Sequence, residues 1–213
     1  MSQSRTESHS QPTTPRRRGR RSEVSREAWI AAGLEELGRH GAGALRLDRL
    51  CKRLEITKGS FYWHFSSREE FVQRILESWE QRDTLALIDL VESGGGGAED
   101  RLRALFHAAN SGRVDFAAEQ AIRHMGQHDA SVRRMLHRVD LRRLGYLETL
   151  FAQLFETPDG SEAAASLYYG LVFGEAMTYR REDRVTRRAR QSAALDLIFA
   201  GAPRRAARAP RPH

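Results

Sequence analysis

Apolar residues recur at helical spacing from about residue 25 to residue 199, and no stretch shows the alternation of β-branched residues that marks a strand. The pattern predicts an all-α protein. The first helix is expected from Ser25, a good N-cap, to Arg39, with Ile30, Leu34 and Leu37 on one face, Trp29 widening the stripe and His40-Gly41 closing it. Two short helices follow, Leu47 to Leu54 and about Thr57 to Phe65, separated by a turn at Glu55-Ile56. Ser66 or Ser67 then caps a long fourth helix, in which Phe71, Ile75 and Trp79 recur every four residues toward Val91. Four glycines, Gly94 to Gly97, cannot sit inside a helix and mark a connector. Beyond it the spacing predicts helices over 99–109, 114–125 and 130–155. Thr157-Pro158-Asp159-Gly160 reads as a turn, Ser161 as the cap of a helix to about Tyr179, and a last helix covers 185–199.

Charge divides this all-α chain into regions. The formal net charge of +7 is concentrated at the ends: residues 1–24 carry six arginines against two glutamates, and residues 201–213 carry four arginines and no acid. Residues 25–64 are also net basic, with seven cations against five acids, so the stretch from 65 to 200 is net acidic. A polyanion at the N-terminal end is the natural partner, because each arginine that neutralises a phosphate releases a condensed counterion. The expected organisation is a disordered basic arm (1–24), a helix-turn-helix DNA-binding domain (25–70), a helical regulatory and dimerisation domain (71–200) and a disordered basic tail (201–213).

Two short helices behind a longer supporting helix are what a DNA reader needs, one lying across the backbone and the other presenting side chains to the major groove. The segment from Leu45 to His64 fits. Thr57 and Ser60 are short hydroxyl donors, Lys58 is a cation, and Gly59 lets the backbone come close to a phosphate or base edge. Tyr62 and His64 can donate to phosphates, while Phe61 and Phe65, four apart, suit the core; Trp63 fits either role. Lys52 and Lys58 are the only lysines in the chain, and both lie in this segment.

The run Ile56-Thr57-Lys58-Gly59-Ser60-Phe61-Tyr62-Trp63-His64-Phe65, followed by Ser66-Ser67-Arg68-Glu69-Glu70-Phe71, resembles the signature of the TetR/AcrR family of transcriptional regulators. The resemblance implies an N-terminal three-helix reader joined by a long fourth helix to a C-terminal helical half that dimerises and holds a small effector. It places Thr57, Lys58 and Ser60 on or beside base-reading positions, Tyr62 and His64 on phosphate, and Arg68 where a cation meets phosphate near a helix start. Two departures stand out. Leu45-Arg46-Leu47 replaces the family's usual threonine cap, leaving Arg46 as the nearest polar substitute, and Glu55 stands where a turn glycine is usual. Arg16, Arg17, Arg18, Arg20 and Arg21 then read as an arm that follows phosphates or enters the minor groove. A weaker resemblance extends over residues 100–182, carried by Glu119-Gln120-Ala121-Ile122-Arg123, Asp140-Leu141-Arg142-Arg143-Leu144 and Tyr168-Tyr169-Gly170-Leu171, with Met125 where a subgroup has tryptophan.

In the C-terminal half Phe106, Met125, Tyr146, Tyr168, Tyr169, Phe173 and Met177 are candidates to line an effector pocket, although helical spacing alone makes each a core residue by default. The tyrosines stand out, since a phenol is wasteful in a core unless its hydroxyl has a partner. His124 and His128 have the i, i+4 spacing of a metal face, with Asp129 and His107 as further ligands; the plainer reading is surface histidines. No metal and no cofactor is expected. Cys51, the one cysteine, reads as a buried inert thiol. Glu99, Arg101 and Arg103, and Asp140 with Arg143, read as charge lace on helix faces, and no phosphate loop, nucleophile elbow or carboxylate pair suggests an enzyme. The expected function is a cytoplasmic homodimeric repressor on an inverted-repeat DNA operator, released by a small apolar or amphipathic effector. The alternative is a DNA-binding dimer gated by no small molecule.

Overall fold

A computed structural model describes residues 24–201 and Pro203. The described residues form helices throughout: α1 (Arg26–His40), α2 (Leu47–Leu54), α3 (Lys58–His64), α4 (Arg68–Glu80), α5 (Ala86–Ser93), α6 (Ala98–Ala108), α7 (Phe116–His128), α8 (Ala130–Leu154), α9 (Pro158–Met177) and α10 (Arg184–Ala200). The arginines at positions 16, 17, 18, 20 and 21 and the tail beyond 203 lie outside the described residues.

Local chemistry sets most boundaries. Ser25 Oγ accepts from Ala28 N at 3.2 Å to start α1, and Gly41, at φ 74, ends it. Ser67 caps α4 by accepting from Glu70 N at 3.1 Å, and the Glu70 carboxylate takes both the Ser66 amide and hydroxyl at 2.7 Å. The fourth helix does run past Val91, but through a widened π turn at Gln81–Leu85 that joins α4 to α5, a feature the hydrophobic spacing did not announce. A second π turn, Ala109–Arg113, ends α6, and Gly112 within it sits at φ 90.

The turn expected at residues 157–160 is part of a helix. Thr157-Pro158-Asp159-Gly160 is the first turn of α9: Thr157 is the cap, accepting from Gly160 N at 3.2 Å, and Pro158 occupies a first-turn position where its missing N–H costs nothing. Ser161 is buried inside the helix and donates to Thr157 O.

Two cores result. The first joins Trp29, Leu34 and Leu37 of α1 to Phe61, Phe65, Phe71, Ile75 and Trp79, and continues without a break into Ile122 of α7 and Val132 and Val139 of α8. At Gly33 a Cβ would meet Ile75 Cδ1 at 2.5 Å, so α1 and α4 meet this closely because glycine has no side chain. The second core gathers Leu102, Phe106, Leu147, Phe151, Phe155, Tyr168, Leu195 and Phe199. The segment from Leu45 to His64 is thus tied through α1 and α4 to α7 and α8, which also build the C-terminal half.

Candidate DNA-reading face and effector cavity

Helix α3 is oriented by its apolar pair. Phe61 and Phe65 are buried against Trp29 and Phe71, with ring centroids 5.4 Å apart for Trp29–Phe61 and 4.8 Å for Phe65–Phe71. Burying these two turns the residues beside them outward. Tyr62 is 65% exposed and Trp63 is 89% exposed, so Trp63 is no core residue. Thr57 occupies the cap position of α3, yet its hydroxyl makes no capping bond and is left at the surface with Lys58 and Gly59, while Ser60 and His64 are half-buried. Arg46 at the start of α2 and Arg68 at the start of α4 are exposed as well.

Helix α2 is fixed to α1 by charge. Arg53 donates to Glu36 Oε1 at 3.0 Å and pairs with Glu35, and Leu50 and Cys51 face the core. Burial pushes the Cys51 thiol up, which keeps it protonated and unreactive. One contact was not read from the sequence: Lys58 Nζ lies 2.5 Å from Asp48 Oδ1, across the turn between α2 and α3. The bond lowers the Asp48 pKa and raises that of Lys58. No periodic signal links residues 48 and 58, since they sit on different helices.

Glu55 is the only residue other than glycine with positive φ among the described residues, at φ 55 and ψ 38, so the turn adopts the left-handed conformation rather than relaxing. Glu55→Gly is expected to stabilise the fold by about 0.5–1 kcal/mol, the relief of side-chain crowding partly offset by glycine's larger unfolded entropy. A denaturation midpoint that fails to rise would show that the turn carries no strain.

The C-terminal half encloses a cavity of about 70 Å³ between the α4–α5 turn, α6, α8, α9 and the start of α7. Tyr146, Tyr168, Tyr169 and Phe173 line it, together with Leu87, Leu105, Phe116 and Val172. Three other candidates do not. Phe106 is buried in the second core, Met125 packs on the first core, and Met177 is exposed at the end of α9. Both π turns contribute to the wall, Asp83 and Thr84 from the first and Ala109 from the second. The polar wall groups are turned toward protein partners: Tyr168 donates to Leu102 O at 2.7 Å, Tyr146 to Glu92 at 2.6 Å, and Arg82 holds Asp83 with bonds of 2.6 and 3.0 Å.

Behind the wall lies an ion network, wholly buried at Glu119 and partly buried at its other members, that corrects the reading of Asp140 and Arg143 as lace on helix faces. Glu119 on α7 accepts from Trp79 Nε1 at 3.1 Å, Arg123 Nε at 2.8 Å and Arg143 at 3.2 Å. Arg143 also donates to Thr84 Oγ1 at 2.9 Å, and Asp140 pairs bidentately with Arg123 at 2.6 and 3.0 Å. Tyr169 donates to Asp140 at 2.6 Å; burial pushes its phenol up to about 12, against the pull of Arg143, so it stays a donor at neutral pH. Burial alone would raise Asp140, but its bonds to Arg123 and Tyr169 outweigh that and lower it. Arg143 is the one network cation that also lines the cavity, and its partners reach α4, α7 and the first π turn. The histidines form no comparable site: His124 and His128 are exposed and stack edge to face at 5.5 Å, and no group of three or more potential metal ligands occurs among the described residues.

Residues 30–75 match the family model described as bacterial regulatory proteins, tetR family. The HTH-type transcriptional repressor NemR of Escherichia coli K12 is 34% identical over 82 residues, which span 38% of this chain and 41% of that protein. The matched stretch therefore covers less than half of the curated relative. The fold extends further. A transcriptional regulator from Rhodococcus sp. Rha1 superposes with a TM-score of 0.66 at 20% identity, over 83% of this chain and 95% of that one. A regulator from Saccharomonospora viridis, solved in complex with choline, gives 0.66 at 14% identity, over 81% and 94%. No helix among the described residues is long and apolar enough to cross a membrane. Residues 30–75 are thus similar in sequence to the tetR family model, and the helices beyond them share their fold with solved transcriptional regulators.

Proposed function

We propose that the protein is a homodimeric transcriptional repressor that reads an inverted-repeat operator with α3 and is released by a small effector held between α4 and α9. The observation that carries the reading is the division of α3: Phe61 and Phe65 are locked in the core, while Thr57, Lys58, Tyr62 and Trp63 stand in solvent. Trp63 stands almost wholly in solvent and Tyr62, though its ring rests edge-on against Phe61, is mostly exposed, and amide, hydroxyl and ring donors there suit phosphates and base edges. Arg46 and Arg68 flank this face as phosphate contacts. Arg16, Arg17, Arg18, Arg20 and Arg21 add cations for the same polyanion, and Asp48 competes with DNA phosphate for Lys58, so DNA must displace one short ion pair.

Effector control follows from shared walls. A body entering the cavity presses on Thr84 and Arg143, and Arg143 is bonded through Glu119 to α7 and Trp79 of α4. Because α4 starts at the reader and α7 packs on α1, a shift at this junction changes how the two readers are spaced, and a ligand that binds one spacing better shifts the population. A regulator gated by no small molecule is the second reading, supported by the cavity's small volume and internally satisfied polar groups.

Selection of bound DNA from a random pool tests the reader. The wild type is expected to enrich an inverted repeat. Thr57→Ala, Lys58→Ala and Tyr62→Phe should each weaken binding by about 1–3 kcal/mol, with Lys58→Ala also lowering the salt slope by about one. Absence of an enriched repeat, or variants with wild-type affinity and salt slope, would overturn the assignment.

A further inference from the structure

A second concavity, about 290 Å³, lies beside the effector cavity and shares Ala109, Val114 and Phe116 with it. These three residues belong to the link from α6 to α7, where the helix gives way to a π turn, a positive-φ glycine and extended backbone at Val114. The partition is thus a thin stretch of irregular chain, and its inner side ends in an edge-to-face contact between Phe116 and Phe173 at 5.9 Å. The two spaces differ in chemistry. The inner one is walled mainly by aliphatic and aromatic side chains, its Asp83, Thr84 and Arg143 being held by protein partners; the outer cleft is lined by Arg180, Arg187 and Arg190 with Glu175 and Glu182.

Charge in the outer cleft is unevenly satisfied. Arg190 engages both carboxylates, donating to Glu182 Oε1 at 2.6 Å and Glu175 Oε2 at 2.9 Å, and Gln191 adds a further bond to Glu175 at 2.9 Å. Both glutamates are thereby held ionised, their pKa values lowered chiefly by the bond from Arg190. Arg187 reaches Glu182 only at 3.6 Å, and Arg180 makes no hydrogen bond or ion pair among the described residues. Arg180, which acts on both glutamates without a direct bond, and Arg187, in a long ion pair, are thus held less tightly than Arg190 beside the apolar cavity. The surrounding segment 180–190 adds to the field, with six arginines against Glu182 and Asp183.

We propose that the cavity and the cleft are two halves of one effector site, which takes an amphipathic anion: a hydrocarbon or aromatic body inside, and a carboxylate or phosphate head on Arg180 and Arg187. The proposal rests on the effector reading above and narrows it to a charge class. Entry of the body displaces Val114 and Phe116, the least regular part of the wall, and leaves the ion network unopened. The head stays partly hydrated at exposed arginines, so no charge is buried without a partner.

Calorimetric titration of the full chain with decanoate, decanol and decylammonium, and with phenylacetate and 2-phenylethanol, decides it. At least one acid is expected to bind about tenfold or more tightly than its alcohol, about 1.4 kcal/mol, and to release operator DNA, whereas decylammonium binds no better than decanol. Arg180→Gln with Arg187→Gln should bring the acid to the level of the alcohol without touching the alcohol, and both arginines are exposed, so the fold is not at risk. Val172→Phe, which narrows the inner cavity, should weaken acid and alcohol alike. Acids and alcohols that bind equally overturn the anion proposal and leave the effector cavity standing. Acid binding that ignores Val172→Phe also overturns it, since the anion then sits on surface arginines alone. If neither acid nor alcohol binds, the effector cavity itself is rejected, and the proposal with it.

Discussion

Glu119→Ala is expected to cost the fold about 3–5 kcal/mol, a large share of the ~5–15 kcal/mol by which a domain of ordinary stability stays folded. Glu119 is almost wholly buried and accepts from Trp79, Arg123 and Arg143. Arg123 retains Asp140 after the change, but Arg143, with its side chain 13% exposed, keeps only Thr84, a 3.5 Å approach to the Tyr169 hydroxyl and the face of Trp79. The cost is that of an uncompensated charge more than of a lost bond. Replacing both partners, Glu119→Leu with Arg143→Met, should therefore destabilise less than Glu119→Ala alone, and the coupling in a double-mutant cycle should exceed about 1 kcal/mol. Urea denaturation of the single and double variants measures it. Additive losses would mean that the two side chains do not share a desolvated site.

The same network shows what a sequence can and cannot display. Helix limits from α1 to α4 were legible because their signals are local: a serine three residues before the amide it caps, a glycine past the last turn, two phenylalanines four apart. The outward set of α3 followed from the inward one, and so did its candidate contacts. Glu119, Arg123, Asp140 and Arg143 gave no such signal. Each looks like an ordinary charge at helical spacing, and only the packing of α7 on α8 and α4 shows that their faces point inward. The π turn at Gln81–Leu85 was equally silent, since one extra residue in a helix leaves the apolar spacing almost unchanged. Thr157-Pro158-Asp159-Gly160 misled for another reason: the residues that favour a turn are also those that favour a helix N-terminus, and burial of Ser161 decided between them. Of the seven pocket candidates four border the cavity and three do not, as helical spacing predicts burial but not whether a buried ring borders a void.

Leu167→Glu combined with Leu197→Glu is expected to convert the protein to a monomer and to weaken binding to a full inverted repeat by about 100-fold or more, since two tethered half-sites bind with an avidity of about 10²–10⁴ over one. The outward face of α9 carries Ala163, Leu167, Gly170, Gly174 and Met177 at helical spacing, and α10 presents Ala193 and Leu197 likewise. Leu167 is 64% exposed and Leu197 75% exposed, and a Cβ built at Gly170 or Gly174 meets nothing within 4 Å. Small residues interrupted by leucines leave a helix face flat enough for a second helix to approach closely, and a two-fold pairing of such faces matches the two-fold symmetry of an inverted repeat. A charge at each leucine would be buried unpaired in that pairing while costing the monomer nothing, so folding and dimerisation are separable. Sedimentation gives the mass, circular dichroism checks that the monomer keeps its helices, and titration with full and half operators gives the two affinities. The half-site affinity should be unchanged. A variant that remains dimeric, or a monomer that binds the full repeat as tightly as the parent, would place the dimer contact elsewhere or remove it from DNA recognition.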